Sequence, residues 1–147
     1  MSPEEERQLA VDLFNRAWTL MDLPDRSPEQ DDDLLHTAHA SRHHWAAVGT
    51  AAHRARGEWQ LSRVYVVLGR PEPALHHAGR CLAYCEANPE ALEDWDLPYA
   101  YEALARAHGL AGDTDEAARF AAQARELGAK VEGPEDREHL DQDLATL

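Results

Sequence analysis

The chain has 147 residues and a formal net charge of −14 with His neutral. That length suits one domain with a real core, the acidic balance argues against a nucleic-acid backbone or an anionic membrane as partner, and no apolar run approaches the ~20 residues needed to span a bilayer. Ala is abundant and the best strand formers are concentrated in residues 64–68, so the composition favours an all-α protein; the acidic opening Ser2-Pro3-Glu4-Glu5-Glu6, the reverse of a signal peptide, leads to the expectation of a cytoplasmic location.

A first helix starts at Pro3. Ser2 can cap it, Pro3 fits its first turn, and Glu4, Glu5 and Glu6 complement its positive end. Leu9, Leu13, Ala17 and Leu20 then recur at helical spacing beside Phe14 and Trp18, and Pro24 closes the segment. Ser27-Pro28-Glu29-Gln30 repeats the capping grammar for a second helix that runs to about Val48. Gly49-Thr50 is a break, and a short segment with His53 and Arg54 leads to Gly57. The third helix is expected over roughly 58–68, apolar nearly all round and therefore the most buried. After the turn Gly69-Arg70-Pro71, a fourth helix covers about 72–87 and stops at Asn88-Pro89. Its Cys81 and Cys85 lie four apart on one face, where a disulfide is geometrically poor, so they read as reduced thiols packed as small apolar groups.

An acidic segment around Trp95 precedes Asp96-Leu97-Pro98, which looks like a cap with Pro in the first turn of a fifth helix ending near Ala111. Gly112-Asp113-Thr114 is a turn matching the one at Gly69. A sixth helix runs to Leu127 with Gly128 as its stop, and beyond Gly133-Pro134 the charged stretch 135–147 reads as a final helix.

Residues 56–125 overlay themselves at a shift of 43: Leu61 falls on Leu104, Tyr65 on His108, Gly69 on Gly112, Ala74 on Ala117, Ala78 on Ala121 and Cys81 on Ala124. Each copy is helix, Gly turn, helix, with small residues where two helices would touch. The copies resemble tetratricopeptide repeats, the first through Trp59, Leu61, Tyr65, Gly69, Ala74, Ala78 and Pro89, the second through Leu104, Ala105, Gly112, Ala117, Ala121 and Ala124. They depart from the pattern at His108, Cys81 and Ser62, and in a period of 43 where about 34 is common. The N-terminal helix pair fits the topology of a third hairpin without its motif.

The resemblance implies a stack of three antiparallel helical hairpins (about 3–48, 58–87 and 97–127) with a capping helix over about 134–146, forming a concave groove for a peptide or protein partner. It places Arg56, Trp59, Arg63 and Val66 from the first copy, and Tyr99, Glu102 and Arg106 from the second, on that concave face. Arg63, between Trp59 and Val66 on an otherwise apolar helix, wants a carboxylate, either internally from Glu58 or Glu102 or from an acidic ligand. The candidate ligand-binding set is thus Arg56, Glu58, Trp59, Arg63, Tyr99 and Glu102. A short stack that leaves an apolar edge would also suit a homodimer.

A second candidate lies on the second helix. Of nine histidines, His36, His39, His43 and His44 fall within nine residues, and Asp32, His36, His39 and His43 share one helical side. Such spacing can bring imidazoles onto a divalent transition metal, with Glu58, His77 or Glu102 completing the set, which would make the protein a metal-dependent enzyme or metal sensor. The competing readings are a solvated face and a pH-responsive row titrating near its ordinary pKa of about 6.5. One of His76 and His77 should face the core, and His108 should be a buried neutral imidazole. The chain has no phosphate-binding Gly loop, no nucleophile elbow and no paired Cys motif of zinc-finger type.

Overall fold

A computed structural model describes residues 1–147. The chain is all-α: α1 (Pro3–Met21), α2 (Pro28–Val48), α3 (Ala51–Val67), α4 (Pro71–Ala87), α5 (Asp96–Ala111), α6 (Thr114–Gly128) and α7 (Pro134–Leu144), with a single 3-10 turn at Pro89–Ala91. The starts of α1 and α2 are closed capping boxes. Ser2 Oγ accepts from Glu5 N at 3.1 Å while Glu5 accepts from Ser2 N at 3.2 Å, and Ser27 and Gln30 repeat the pair, which satisfies donors that a helix start otherwise leaves free. The two matched turns each pass through the left-handed region, at Gly69 (φ 72°) and Gly112 (φ 84°), where a side chain would be strained. No helix is long and apolar enough to cross a membrane.

The helices pack chiefly as α1 on α2, α3 on α4 and α5 on α6, and successive pairs meet through α2 with α3, α4 with α5 and α3 with α5. One core cluster gathers Ala17, Leu34, Ala38, Leu61 and Val64 between the first pair and α3. Others are built from Ala74, Ala78, Ala103, Leu104 and Ala107, and from Ala55, Cys81, Cys85 and Ala100. The small residues let helix axes approach closely. Ser62 exploits one such approach by donating from Oγ to the Ala74 carbonyl at 2.9 Å. Both cysteines are free and buried; a hydrogen bond with Cys85 and burial push the Cys81 thiol well up. A last cluster, Ala124, Val131, Leu140 and Leu144, seats α7.

The structure corrects the expected third helix, which begins at Ala51 and runs through Gly57 without interruption. His53, expected in a connecting segment, instead accepts from Thr50 N at 3.0 Å and closes the helix start. Gly57 is not a breaker. A Cβ there would come 2.7 Å from Arg42 Cδ, so the glycine serves the close approach of α2. Gly128 likewise is the last helical residue rather than a stop beyond it, and a Cβ on it would meet Leu140 Cδ2 at 2.9 Å. Asp96 lies inside α5 rather than capping it, and α7 ends at Leu144.

Candidate functional site

Four helices surround a hollow of about 690 Å³. Each presents one stripe to it. α1 supplies Phe14, Trp18 and Asp22 at a spacing of four, α3 supplies Arg56, Trp59 and Arg63 at three and four, and α7 supplies Asp136, His139 and Asp143. Tyr99 of α5 and Trp95 just before it complete the wall. The aromatic rings form a chain, from Phe14 to Trp18 (6.4 Å between centroids), Trp18 to Trp59 (5.5 Å), Trp59 to Tyr99 (5.3 Å) and Tyr99 to Trp95 (6.5 Å). Three of the four contacts are edge-to-face, a favoured aromatic geometry at these distances, and the Trp18–Trp59 pair is tilted at 43°.

Polar groups behind the rings fix them. Glu102 is fully buried and accepts from Trp59 Nε1 at 3.1 Å and Arg106 Nε at 3.2 Å. Tyr99 donates its hydroxyl to Asp143 at 2.7 Å; burial, and then this bond to a carboxylate, hold the phenol far above its ordinary pKa. Arg56 grips Asp96 with two bonds of 2.9 Å and lies 4.5 Å from the centroid of the Trp95 ring. Arg63 sits 3.4 Å from Asp143 and 3.7 Å from Glu102, with its guanidinium 5.7 Å from the Trp59 centroid.

Of the residues expected to bind ligand, Arg56, Trp59, Arg63 and Tyr99 line the hollow together. Glu102 lies behind its wall as a support. Glu58 belongs elsewhere, buried beside His77 Nδ1 (3.2 Å) and Arg42 (3.7 Å) at the junction of α2, α3 and α4. Val66 and Arg106 face a narrow cleft beside the hollow. Of the carboxylates open to Arg63, Glu102 lies 3.7 Å away and Glu58 belongs to the other cluster; Asp143, brought up by α7, lies at 3.4 Å, and Arg56 pairs with Asp96 of α5. Sequence reasoning did not find the contributions of α1 and α7. The four-residue spacing of Phe14, Trp18 and Asp22 was a usable signal; the seating of α7 against α6 had none.

The histidine stripe does not converge. Asp32, His36, His39 and His43 all keep exposed surface. His39 places Nε2 2.8 Å from the Tyr65 hydroxyl and packs edge-on to His77 at 5.6 Å, while the His77 ring stacks on Tyr65 at 5.5 Å. Burial, then the neighbouring His77, hold His39 below its ordinary pKa. No group of three or more His, Cys, Asp or Glu side chains is placed to hold a metal ion. The expected metal site at His36, His39 and His43 is therefore corrected: α3 and α4 close on His39 alone, through Tyr65 and His77, while His36 and His43 stay exposed. His39 joins the Glu58 cluster, whereas Arg63 joins Glu102, so the two candidate sites remain apart. His77 is half-buried and His76 exposed, and His108 is half-buried, stacked on Phe120 with Nδ1 3.5 Å from Asp113.

No protein-family model, no curated protein and no solved structure matches this chain.

Proposed function

We propose that this chain is a tetratricopeptide-like interaction module that takes a short segment of a partner polypeptide into the hollow between α1, α3, α5 and α7. One observation carries the reading: a cavity of about 690 Å³ walled by five aromatic side chains. A volume in the range of roughly 300–1,000 Å³ is that of a ligand-sized pocket, and large rigid rings give contact area at little entropic cost. Trp59 and Tyr99 are held by Glu102 and Asp143, so little ordering remains to be done on binding. Because α7 forms one wall, a turn or chain end fits this hollow better than a long strand laid along it. The same proposal sets the module in the cytoplasm, where Cys81 and Cys85 stay reduced.

The tryptophans supply the test. Trp18, Trp59 and Trp95 line the hollow, while Trp45 is buried elsewhere against His53. Short peptides that bind should shift the three indole N–H signals of the hollow in an NMR titration and leave that of Trp45 in place. Trp18→Ala should abolish the response with far-UV circular dichroism unchanged. Equal movement of all four signals, no movement with any of a broad peptide panel, or undiminished binding by the variant would sink the reading.

A further inference from the structure

The charges around the hollow are not balanced. It is lined by Asp22, Asp96, Asp136 and Asp143 against Arg56, Arg63 and His139, whose Nε2 lies 3.8 Å from Asp143. Arg56 is taken up by Asp96, and Arg63 by Asp143 and Glu102. That leaves Asp22 on one wall and Asp136 on the other, both exposed, neither in an ion pair. Asp22 is also the C-cap of α1, but the guanidinium that meets that helix end, Arg26, donates to the Met21 and Leu23 carbonyls at 2.8 and 3.2 Å and pairs with Asp31, leaving the Asp22 carboxylate unpaired.

The aromatic lining points the same way. The negative face of an aromatic ring attracts a cation, most strongly for Trp. Two of the three tryptophans in the hollow are already used so, Arg56 lying over Trp95 and Arg63 over Trp59. Trp18, nearest to Asp22 in sequence, has aromatic neighbours in Phe14 and Trp59 and carries no guanidinium of the chain on its face. The net charge of −14 draws cations towards the molecule over longer range.

Resting on the binding reading above, we propose that the hollow selects a basic side chain, a lysine or arginine presented by the partner's segment, with its charged head between Asp22 and Asp136 and its aliphatic stem against Trp18. An acidic segment is disfavoured: Arg56 donates two bonds to Asp96, Arg63 has Asp143 and Glu102 within 4 Å, and Asp22 and Asp136 repel a further carboxylate.

The experiment uses four blocked hexapeptides identical except for a central Lys, Arg, Gln or Glu, together with free butylammonium, titrated against the full chain and followed by indole NMR shifts and calorimetry. The Lys and Arg peptides should bind about tenfold more tightly than the Gln peptide, the Glu peptide most weakly, and added salt should narrow the gap. In the doubly substituted D22N/D136N chain the Lys and Arg peptides should bind no more tightly than the Gln peptide; both positions are exposed and unpaired, so far-UV circular dichroism should match the parent. Equal binding of Lys and Gln peptides would overturn the charge selection and leave the hollow as a binding site. Tightest binding of the Glu peptide would reverse its sign. Butylammonium binding as tightly as the Lys peptide would overturn the partner as source of the cation, and silence with every peptide would remove the binding reading itself.

Discussion

Glu102 is the residue whose removal best tests how the wall of the hollow is held. Its carboxylate is fully buried and receives Trp59 Nε1 at 3.1 Å and Arg106 at 3.2 Å, with Arg63 at 3.7 Å. Glu102→Ala leaves two partly buried guanidiniums short of a counter-charge and an indole N–H without its acceptor. Removing one partner of a buried ion pair costs about 3–5 kcal/mol. The lower end applies, because Arg63 keeps Asp143 and Arg106 keeps the Asp143 carbonyl (3.1 Å) and Thr146 (2.7 Å). With about 1 kcal/mol for the orphaned indole, the loss is about 4 kcal/mol, or roughly 10 °C in Tm for a chain of this size. Glu102→Gln keeps an acceptor for Trp59 and gives up only the charge, so it should lose about 1–2 kcal/mol. Urea unfolding followed by circular dichroism measures all three proteins, and the m-value should not change. A Glu102→Ala chain within about 1 kcal/mol of the parent, or one no less stable than Glu102→Gln, would refute the reasoning.

Three further outcomes follow from individual contacts. Gly128→Val places a branched side chain where Leu140 Cδ2 already lies 2.9 Å from a Cβ position; overpacking of about 1–3 kcal/mol should loosen α7, seen as faster hydrogen exchange across 134–147 with 51–111 unchanged, and unaltered exchange would contradict the seating. Ser62→Ala removes a buried bond to the Ala74 carbonyl and should cost about 1 kcal/mol in urea unfolding, with a neutral result counting against that contact as an anchor of α3 to α4. The pKa of His39 is lowered in the fold by burial, then by His77 and by His36, against an opposing pull from Glu58. The unfolded chain therefore binds the proton more readily, and the contribution of His39 to stability is complete above about pH 6.5 and lost as the pH falls below it. His39→Gln should flatten the decline of Tm between about pH 7 and 5; an unchanged slope would assign that decline to other groups.

Much of the fold was legible from local signals. Ser2 and Ser27 marked helix starts because a hydroxyl three residues before a Glu or Gln satisfies free backbone donors. Gly69 and Gly112 marked turns because only a residue without Cβ passes through positive φ at no cost. Gly57 misled for the same reason turned round: a glycine can also mark the close approach of another helix, and nothing local tells the two apart. On the site, helical periodicity was enough to set Arg56, Trp59 and Arg63 on one face, whereas the bond from Trp59 to Glu102, 43 residues on, came only with the packing of α5 against α3.

The sequence by itself determined where most helices begin and end and which face of each is apolar, since capping, turn strain and side-chain periodicity act within a few residues. Only the tertiary structure decided the partners of the charges. Arg56 meets Asp96 across 40 residues and Arg63 meets Asp143 across 80, and the histidines of α2 part company, His39 to Tyr65 and His36 to solvent. A charge acts through space and takes whichever opposite group the packed helices bring within a few ångströms. The electrostatic character of the hollow therefore exists only once α1, α3, α5 and α7 have closed around it.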